Sequence, residues 1–316
     1  MTGHVLTFGE TMGLFRAAEI GGLADVDTAR IGTGGADSNV AIGLSRLGVP
    51  AVWVGRVGAD GIGRRVVRDI LGQGVDARAI VDPGHPTGLM IKEKRTPHTT
   101  RVWFYRSGSA GSGLQPTDVD EELIETAAMV HVTGITASIS ASGWETVRRV
   151  LAVARARGVP VSFDVNHRTA LWPTGDPAPL YREIAASADV VFAGDDEAAL
   201  LLGGTTGDAA ALVEGMRGLG PATAVLKRGA LGSAASDGGP LIEHPALEVP
   251  VVDTVGAGDA FVAGFLAARL RGDALPDSLA VATAAGAFAC MGLGDWESMP
   301  RTDELALLGS SDPVSR

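Results

Sequence analysis

The segment Val251-Val252-Asp253-Thr254-Val255-Gly256-Ala257-Gly258-Asp259-Ala260-Phe261 is the part of the chain best suited to chemistry. An apolar run enters it, and Phe261, Phe265, Leu266 and Leu270 leave it at helical spacing. Gly256-Ala257-Gly258-Asp259 therefore falls at a helix N-terminus. There the first N–H groups lack intrahelical partners and the helix dipole favours negative charge. Two glycines let the backbone approach a phosphate closely. The turn can thus act as an anion hole for charge developing on a transferring phosphoryl group. Asp259, in the first turn, is placed to take a proton from an attacking alcohol. Most acids in that position are only helix-start carboxylates. Asp253, six residues earlier, is either a turn residue or a ligand for a hydroxyl or a cation.

Rival glycine motifs fail. A Walker A loop needs G-x-x-x-x-G-K-[ST], which is absent, and a dinucleotide fingerprint would need glycine where Phe261 stands. Just after the first strand the chain reads Phe8-Gly9-Glu10-Thr11, which fails as well.

The elements that must position this turn are legible from periodicity. Short β-branched runs at Val5–Phe8, Ala51–Gly55, Met129–Thr133, Val159–Asp164, Val190–Ala193 and Thr223–Lys227 predict strands. Helical patterns lie between them, as in Ser38–Leu47 and Ser142–Arg157, each followed by glycine, and Pro116-Thr117-Asp118 opens a helix leading into Leu123. Such alternation predicts a parallel sheet with helices on both faces. Two stretches break it. Residues 12–31 follow the first strand, and residues 87–106 read as a hairpin turning at Arg95-Thr96-Pro97-His98. Both are expected to form a small β-lid; a plain surface hairpin is the competing reading of 87–106. The expected organisation is one domain over residues 1–309, with a flexible tail at 310–316.

The remaining composition narrows the function. Of 316 residues, 46% are hydrophobic and 20% charged, which allows a sizeable core. The formal net charge of −11 argues against a nucleic-acid footprint, which needs a basic face, but not against a local nucleotide site. The single cysteine, Cys290, precludes an intrachain disulfide and is expected to be a small buried hydrophobe. Neither a signal-peptide pattern nor an 18-residue apolar run is present, so a cytoplasmic chain without a membrane partner is expected. The six histidines, His4, His85, His98, His131, His167 and His244, show no metal-ligand spacing and are expected at the surface or in structural roles.

The Asp253–Asp259 segment resembles the C-terminal signature of the ribokinase-like (PfkB) carbohydrate kinases. Gly34-Gly35-Ala36-Asp37-Ser38-Asn39-Val40-Ala41, with Leu47-Gly48 and the Gly55–Gly63 glycine cluster, resembles the N-terminal one. Two long signatures at the family separation are a specific match over nearly the whole chain. Within the family the chain is most similar to the 2-keto-3-deoxygluconate kinases, through Phe104-Tyr105-Arg106, Gly108-Ser109-Ala110, Phe163-Asp164-Val165-Asn166-His167-Arg168 and Gly294-Asp295-Trp296-Glu297.

The resemblance implies a ribokinase-like α/β fold: an open, mainly parallel sheet with helices on both faces plus the lid, through which many members dimerise. It implies ATP and Mg²⁺ as cofactors and a sugar or sugar acid as acceptor. Gly34, Gly35, Asp37 and Asn39 would hold sugar hydroxyls. Tyr105, Arg106, Arg168 and Asp295 would contact the substrate, the guanidiniums suiting a carboxylate. Asn166, Lys227, Gly229, Asp253, Gly256 and Gly258 would contact the nucleotide. Glu197 would organise the metal, through water. Asp259 would be the base, with Gly256, Ala257 and Gly258 around the transferring group. The chain departs from the pattern at Gly194, where the family has Asn three residues before the metal-linked Glu; here Asp195 and Asp196 follow. It departs again at Met90 and Phe104, where ketodeoxygluconate kinases often carry Tyr. Two other readings remain: a PfkB kinase for another acceptor such as fructose, ribose or a nucleoside, and a catalytically silent binding protein. The intact Asp259, Gly256 and Gly258 argue against the second.

Overall fold

A computed structural model describes residues 3–96, 99–204 and 207–309. The expected hairpin-tip residues Pro97 and His98, and the tail expected at 310–316, lie outside the described residues.

Alternating side chains build the main sheet. It contains β1 (His4–Phe8), β4 (Ala51–Gly58), β5 (Asp76–Asp82), β8 (Ala127–Thr133), β9 (Val161–Asp164), β10 (Val190–Gly194), β11 (Thr223–Lys227), β12 (Ser233–Ser236) and β13 (Ile242–His244). The order is β13-β12-β11-β10-β9-β8-β1-β4-β5, parallel except for the β11–β12 and β12–β13 pairs. Val5 and Trp53 join one core cluster, while Leu6, Phe8, Val52 and Val54 join the other. Both faces are therefore covered, as a parallel sheet requires.

The two excursions form a separate sheet of β2 (Met12–Ala17), β3 (Ala29–Gly34), β6 (Leu89–Thr96) and β7 (Thr99–Tyr105), ordered β3-β2-β6-β7. The first excursion stays in strand conformation to Gly34, past residue 31. Residues 87–106 do form an antiparallel hairpin, and β6 pairs in parallel with β2, so the plain surface hairpin is excluded. Met12, Leu14 and Met90, with Val102 packed against them, give this sheet an apolar face.

The expected helices form as Ala36–Arg46 and Ala141–Arg157, the latter ended by Gly158 in the left-handed conformation (φ 67°). The helix expected from Pro116 is instead a 3₁₀ turn, Pro116–Asp118, and a separate helix, Glu121–Glu125. The Asp118 carboxylate folds back on the Gln115 N–H and also pairs with Arg56, which closes the first turn before it can propagate. Cys290 is free and only half-buried. Among the described residues no helix is long and apolar enough to cross a membrane.

Candidate active site

The carboxyl ends of the parallel strands face the apolar side of the lid across a cavity of about 380 Å³. Ligands of open α/β sheets bind at such strand ends, and the volume suits a small molecule. Glu10 follows β1, Asp164 ends β9, Asn166 follows it, and Lys227 ends β11; all four line the cavity.

The helix predicted after the glycine turn runs Ala257–Arg271, with Gly256 as its N-cap at φ 77°. That backbone region is costly for residues with a Cβ, and a Cβ here would also collide with the Asp295 carbonyl. The turn is thus tight because the loop carrying Asp295 presses on it. Asp259 follows in the first helical turn and is buried. Its Oδ2 accepts from Asn39 Nδ2 at 2.7 Å and its Oδ1 faces Asn166 Nδ2 at 3.4 Å. Asn166 has φ 41°, the left-handed region that Asn tolerates better than most residues.

Burial pushes the Asp259 carboxyl up to about 6, and Asp164 adds to the rise; Asn39, Arg168 and Lys227 oppose it. The helix terminus favours the charged form, but desolvation wins. A carboxyl poised near 6 is a better proton acceptor than an ordinary aspartate. The base must be ionised, so kcat/KM is expected to fall about tenfold per pH unit below about pH 6. A pH–rate profile flat down to pH 4.5 would contradict this assignment.

Lys227 Nζ donates to both Asp164 oxygens, at 2.6 and 2.8 Å. Burial works against its charge, but Asp164, Glu197 and Asp259 outweigh it and raise its pKa. Arg106 Nε donates to Glu10 Oε2 at 2.7 Å, and Ser109 donates to the other Glu10 oxygen. Glu10 is boxed by Gly88, just before β6, and Gly111, in the 3₁₀ turn Gly111–Gly113 after β7, where a Cβ on either would strike it. Arg168, by contrast, is exposed and has no carboxylate partner among the described residues; its Nη1 donates to the His167 carbonyl.

The structure gathers most of the residues named from the sequence. Gly34, Gly35, Asn39, Arg106, Asn166, Arg168, Glu197, Lys227, Gly256, Gly258, Asp259 and Asp295 all line the cavity. Five do not. Asp37 is buried beneath it, with Oδ2 accepting from Thr133 and Thr136, so it holds protein hydroxyls rather than sugar hydroxyls. Burial pushes its carboxyl up to about 7. Tyr105 is exposed: residues alternate across β7, and Phe104 and Arg106 already face the cavity. Asp253 accepts from the Val255 N–H in a local turn. Gly229 sits in the 3₁₀ turn after β11, and the Ala257 N–H is bonded back to the Thr254 carbonyl.

Glu197 lines the cavity, but its oxygens accept from the backbone N–H groups of His167 and Gly194, both at 2.7 Å. It ties the ends of β9 and β10 together. Asp195 turns instead to Arg228, so the extra carboxylates after Gly194 do not replace the missing Asn in the cavity wall. Three charged cavity residues escaped the sequence reading as site members: Glu10, Lys92 and Asp164. Glu10 and Asp164 carried a signal, as acids at the carboxyl ends of strands. Lys92 carried one only once β6 was paired, sharing a face with Met90.

The profile of the pfkB family carbohydrate kinases matches residues 2–301. The chain is 35% identical to a 2-dehydro-3-deoxygluconokinase of Bacillus subtilis, over 95% of this chain and 94% of that one. It is 32% identical to a 2-dehydro-3-deoxygalactonokinase of Haloferax volcanii, over 91% of each. A sugar kinase of Pyrococcus horikoshii, solved in complex with ATP, superposes with a TM-score of 0.84 at 26% identity, covering 96% of this chain and 97% of that one. Two signature segments, the two-sheet architecture and a cavity holding a buried carboxylate at a glycine-capped helix converge on one conclusion: this chain belongs to the pfkB family of carbohydrate kinases.

Proposed function

We propose that the chain transfers the γ-phosphoryl group of ATP to a hydroxyl of 2-keto-3-deoxygluconate, giving the 6-phosphate. The observation that carries this reading is the juxtaposition of Asp259 at the helix N-terminus with Arg106 and Arg168 around one small cavity. A basic carboxylate there serves an alcohol nucleophile, and guanidiniums there serve an acceptor with a carboxylate. The relative from Bacillus subtilis, named for this substrate, supports the choice.

The acceptor hydroxyl gives its proton to Asp259 as its oxygen bonds to the γ-phosphorus. The bond from that phosphorus to the bridging oxygen breaks, and ADP leaves. Asn39 and Asn166 hold the Asp259 carboxylate in place. The helix-start amides of Gly256 and Gly258 stabilise the charge that develops on the phosphoryl oxygens. Lys227 meets the nucleotide phosphates, with Asp164 fixing its position. The lid keeps bulk water from competing with the acceptor.

Asp164 and Glu197 set hard oxygens, the donor type Mg²⁺ takes, beside Asn166 in the cavity wall, but Lys227 engages both Asp164 oxygens. Among the described residues no cluster of His, Cys, Asp or Glu could hold the ion alone, and the Glu197 oxygens are already engaged. These residues would meet the ion through water, and it would neutralise phosphate charge when bound. The chain is read as a cytoplasmic enzyme, since ATP is available there and Cys290 is free. It is also read as a homodimer through the lid, on which Ile31, Trp103 and Tyr105 are exposed.

One observation favours a second acceptor: the cavity wall carries Met90 and Phe104, without hydroxyls, so discrimination between epimers such as the galactonate analogue is weakened. An acceptor panel with coupled ADP detection decides. Turnover on the keto-deoxy acids at least about tenfold above fructose and ribose is expected. Activity on a neutral sugar alone would discard the acid, and ligand-induced melting shifts without ADP release would indicate a silent binding protein.

A further inference from the structure

Lys92 sits in the middle of β6 and is almost fully buried, yet it lines the cavity. Its ammonium is paired with Asp295, itself buried, on the loop that packs against Gly256. An ammonium has three donors, and Asp295 Oδ1 takes one; no other hydrogen-bond partner for Lys92 occurs among the described residues. A buried charge with unmet donors is costly, so a ligand oxygen is its natural complement. The rest of the lid wall makes the position distinctive. Met12, Met90, Val102 and Phe104 present only apolar groups, and the other charged residue that the hairpin brings to the cavity, Arg106, is paired with Glu10 just past the end of β7.

Resting on the sugar-acid reading above, we propose that Lys92 is the specificity-determining residue of the lid: it binds an oxygen of the acceptor while the four apolar side chains around it accommodate a carbon without a hydroxyl. The acceptor class this selects is a deoxygenated sugar acid whose deoxy carbon lies beside the oxygen held by Lys92. A fully hydroxylated acid would press a hydroxyl against Met90 or Phe104 with nothing to pair it. Asp295 acts in the same unit, because it holds the ammonium across the boundary between lid and body.

The test compares the wild type with Lys92→Met, Lys92→Arg, Asp295→Asn and the double variant Lys92→Met/Asp295→Asn. The acceptors are 2-keto-3-deoxygluconate and 2-ketogluconate, which restores the missing hydroxyl. Lys92→Met is expected to raise KM for the deoxy acid by about tenfold or more, with KM for ATP within about twofold. The preference for the deoxy acid should shrink, and Lys92→Arg should recover most of the loss. A latch that merely holds the lid shut would lower the melting temperature and move both KM values together, which overturns the proposal. Should Lys92→Met not fold, the double variant removes both charges and restores a neutral interior. Its acceptor KM must then exceed that of Asp295→Asn alone, and equality of the two overturns the proposal. If the wild type phosphorylates neither acid, the sugar-acid reading fails by itself. The same variants are then compared on the acceptor that is turned over, where an unchanged KM in Lys92→Met overturns the role of Lys92.

Discussion

Asp259→Asn is expected to lower kcat by about 10²- to 10⁴-fold while KM for ATP stays within about twofold. The substitution is isosteric, and its amide oxygen can still accept from Asn39, so the geometry of the turn persists. What disappears is the proton acceptor, together with a carboxyl that burial has raised to about 6. Loss confined to kcat, with ATP binding intact, is the signature of a group that acts in the transition state and not in ground-state binding. Steady-state kinetics with coupled ADP detection, alongside an ATP titration by melting temperature, measure both halves. Turnover within about tenfold of the parent would remove Asp259 from the role of base.

Gly256→Ala is expected to be nearly as damaging, for a backbone reason. The residue occupies φ 77°, where an L side chain costs about 1–2 kcal/mol. Its new Cβ would also strike the Asp295 carbonyl, a main-chain atom that cannot swing aside. Overpacking of this kind costs about 1–3 kcal/mol more. The turn can relieve the clash only by moving the helix start or the Asp295 loop. The first displaces the amides and Asp259, and the second displaces the partner of Lys92. A shift of about 1 Å in such a site can cost about 10²-fold in rate. We therefore expect kcat/KM to fall by at least about 10²-fold, with a lower melting temperature. Gly258→Ala separates the fold effect from crowding of the phosphoryl group: a Cβ there meets only Lys227 Nζ at 3.9 Å, so its melting temperature should hold. An equal drop in melting temperature for both alanines would mean that the φ angle and the Asp295 contact are not the cause.

The sequence carried the site where function depends on local conformation. Gly256, Gly258 and Asp259 announced themselves because a helix start after paired glycines is readable from spacing alone, and the helix forms where it was expected. The strand ends that supply Asn166 and Lys227 were equally legible, since fully buried parallel strands leave short apolar runs. The reading failed where a side chain's direction depended on pairing. Tyr105 is the last residue of β7 and Arg106 follows it, so their side chains leave in opposite directions. The family resemblance implies that Asp37 holds a sugar hydroxyl, but Thr133 and Thr136, nearly a hundred residues away, donate to its carboxylate.

By itself the sequence determined the alternation of strands and helices, the two excursions that become the lid, and the helix start where a phosphoryl group can be stabilised. Periodicity and glycine placement are short-range properties, and they survive in a linear reading. Only the tertiary structure decided which charges neutralise one another: Glu10 with Arg106, Asp164 with Lys227, Lys92 with Asp295. Those pairs join residues from 63 to 203 positions apart. Burial that raises a carboxyl such as Asp259 is likewise a property of everything packed around it, and no window of sequence contains that information.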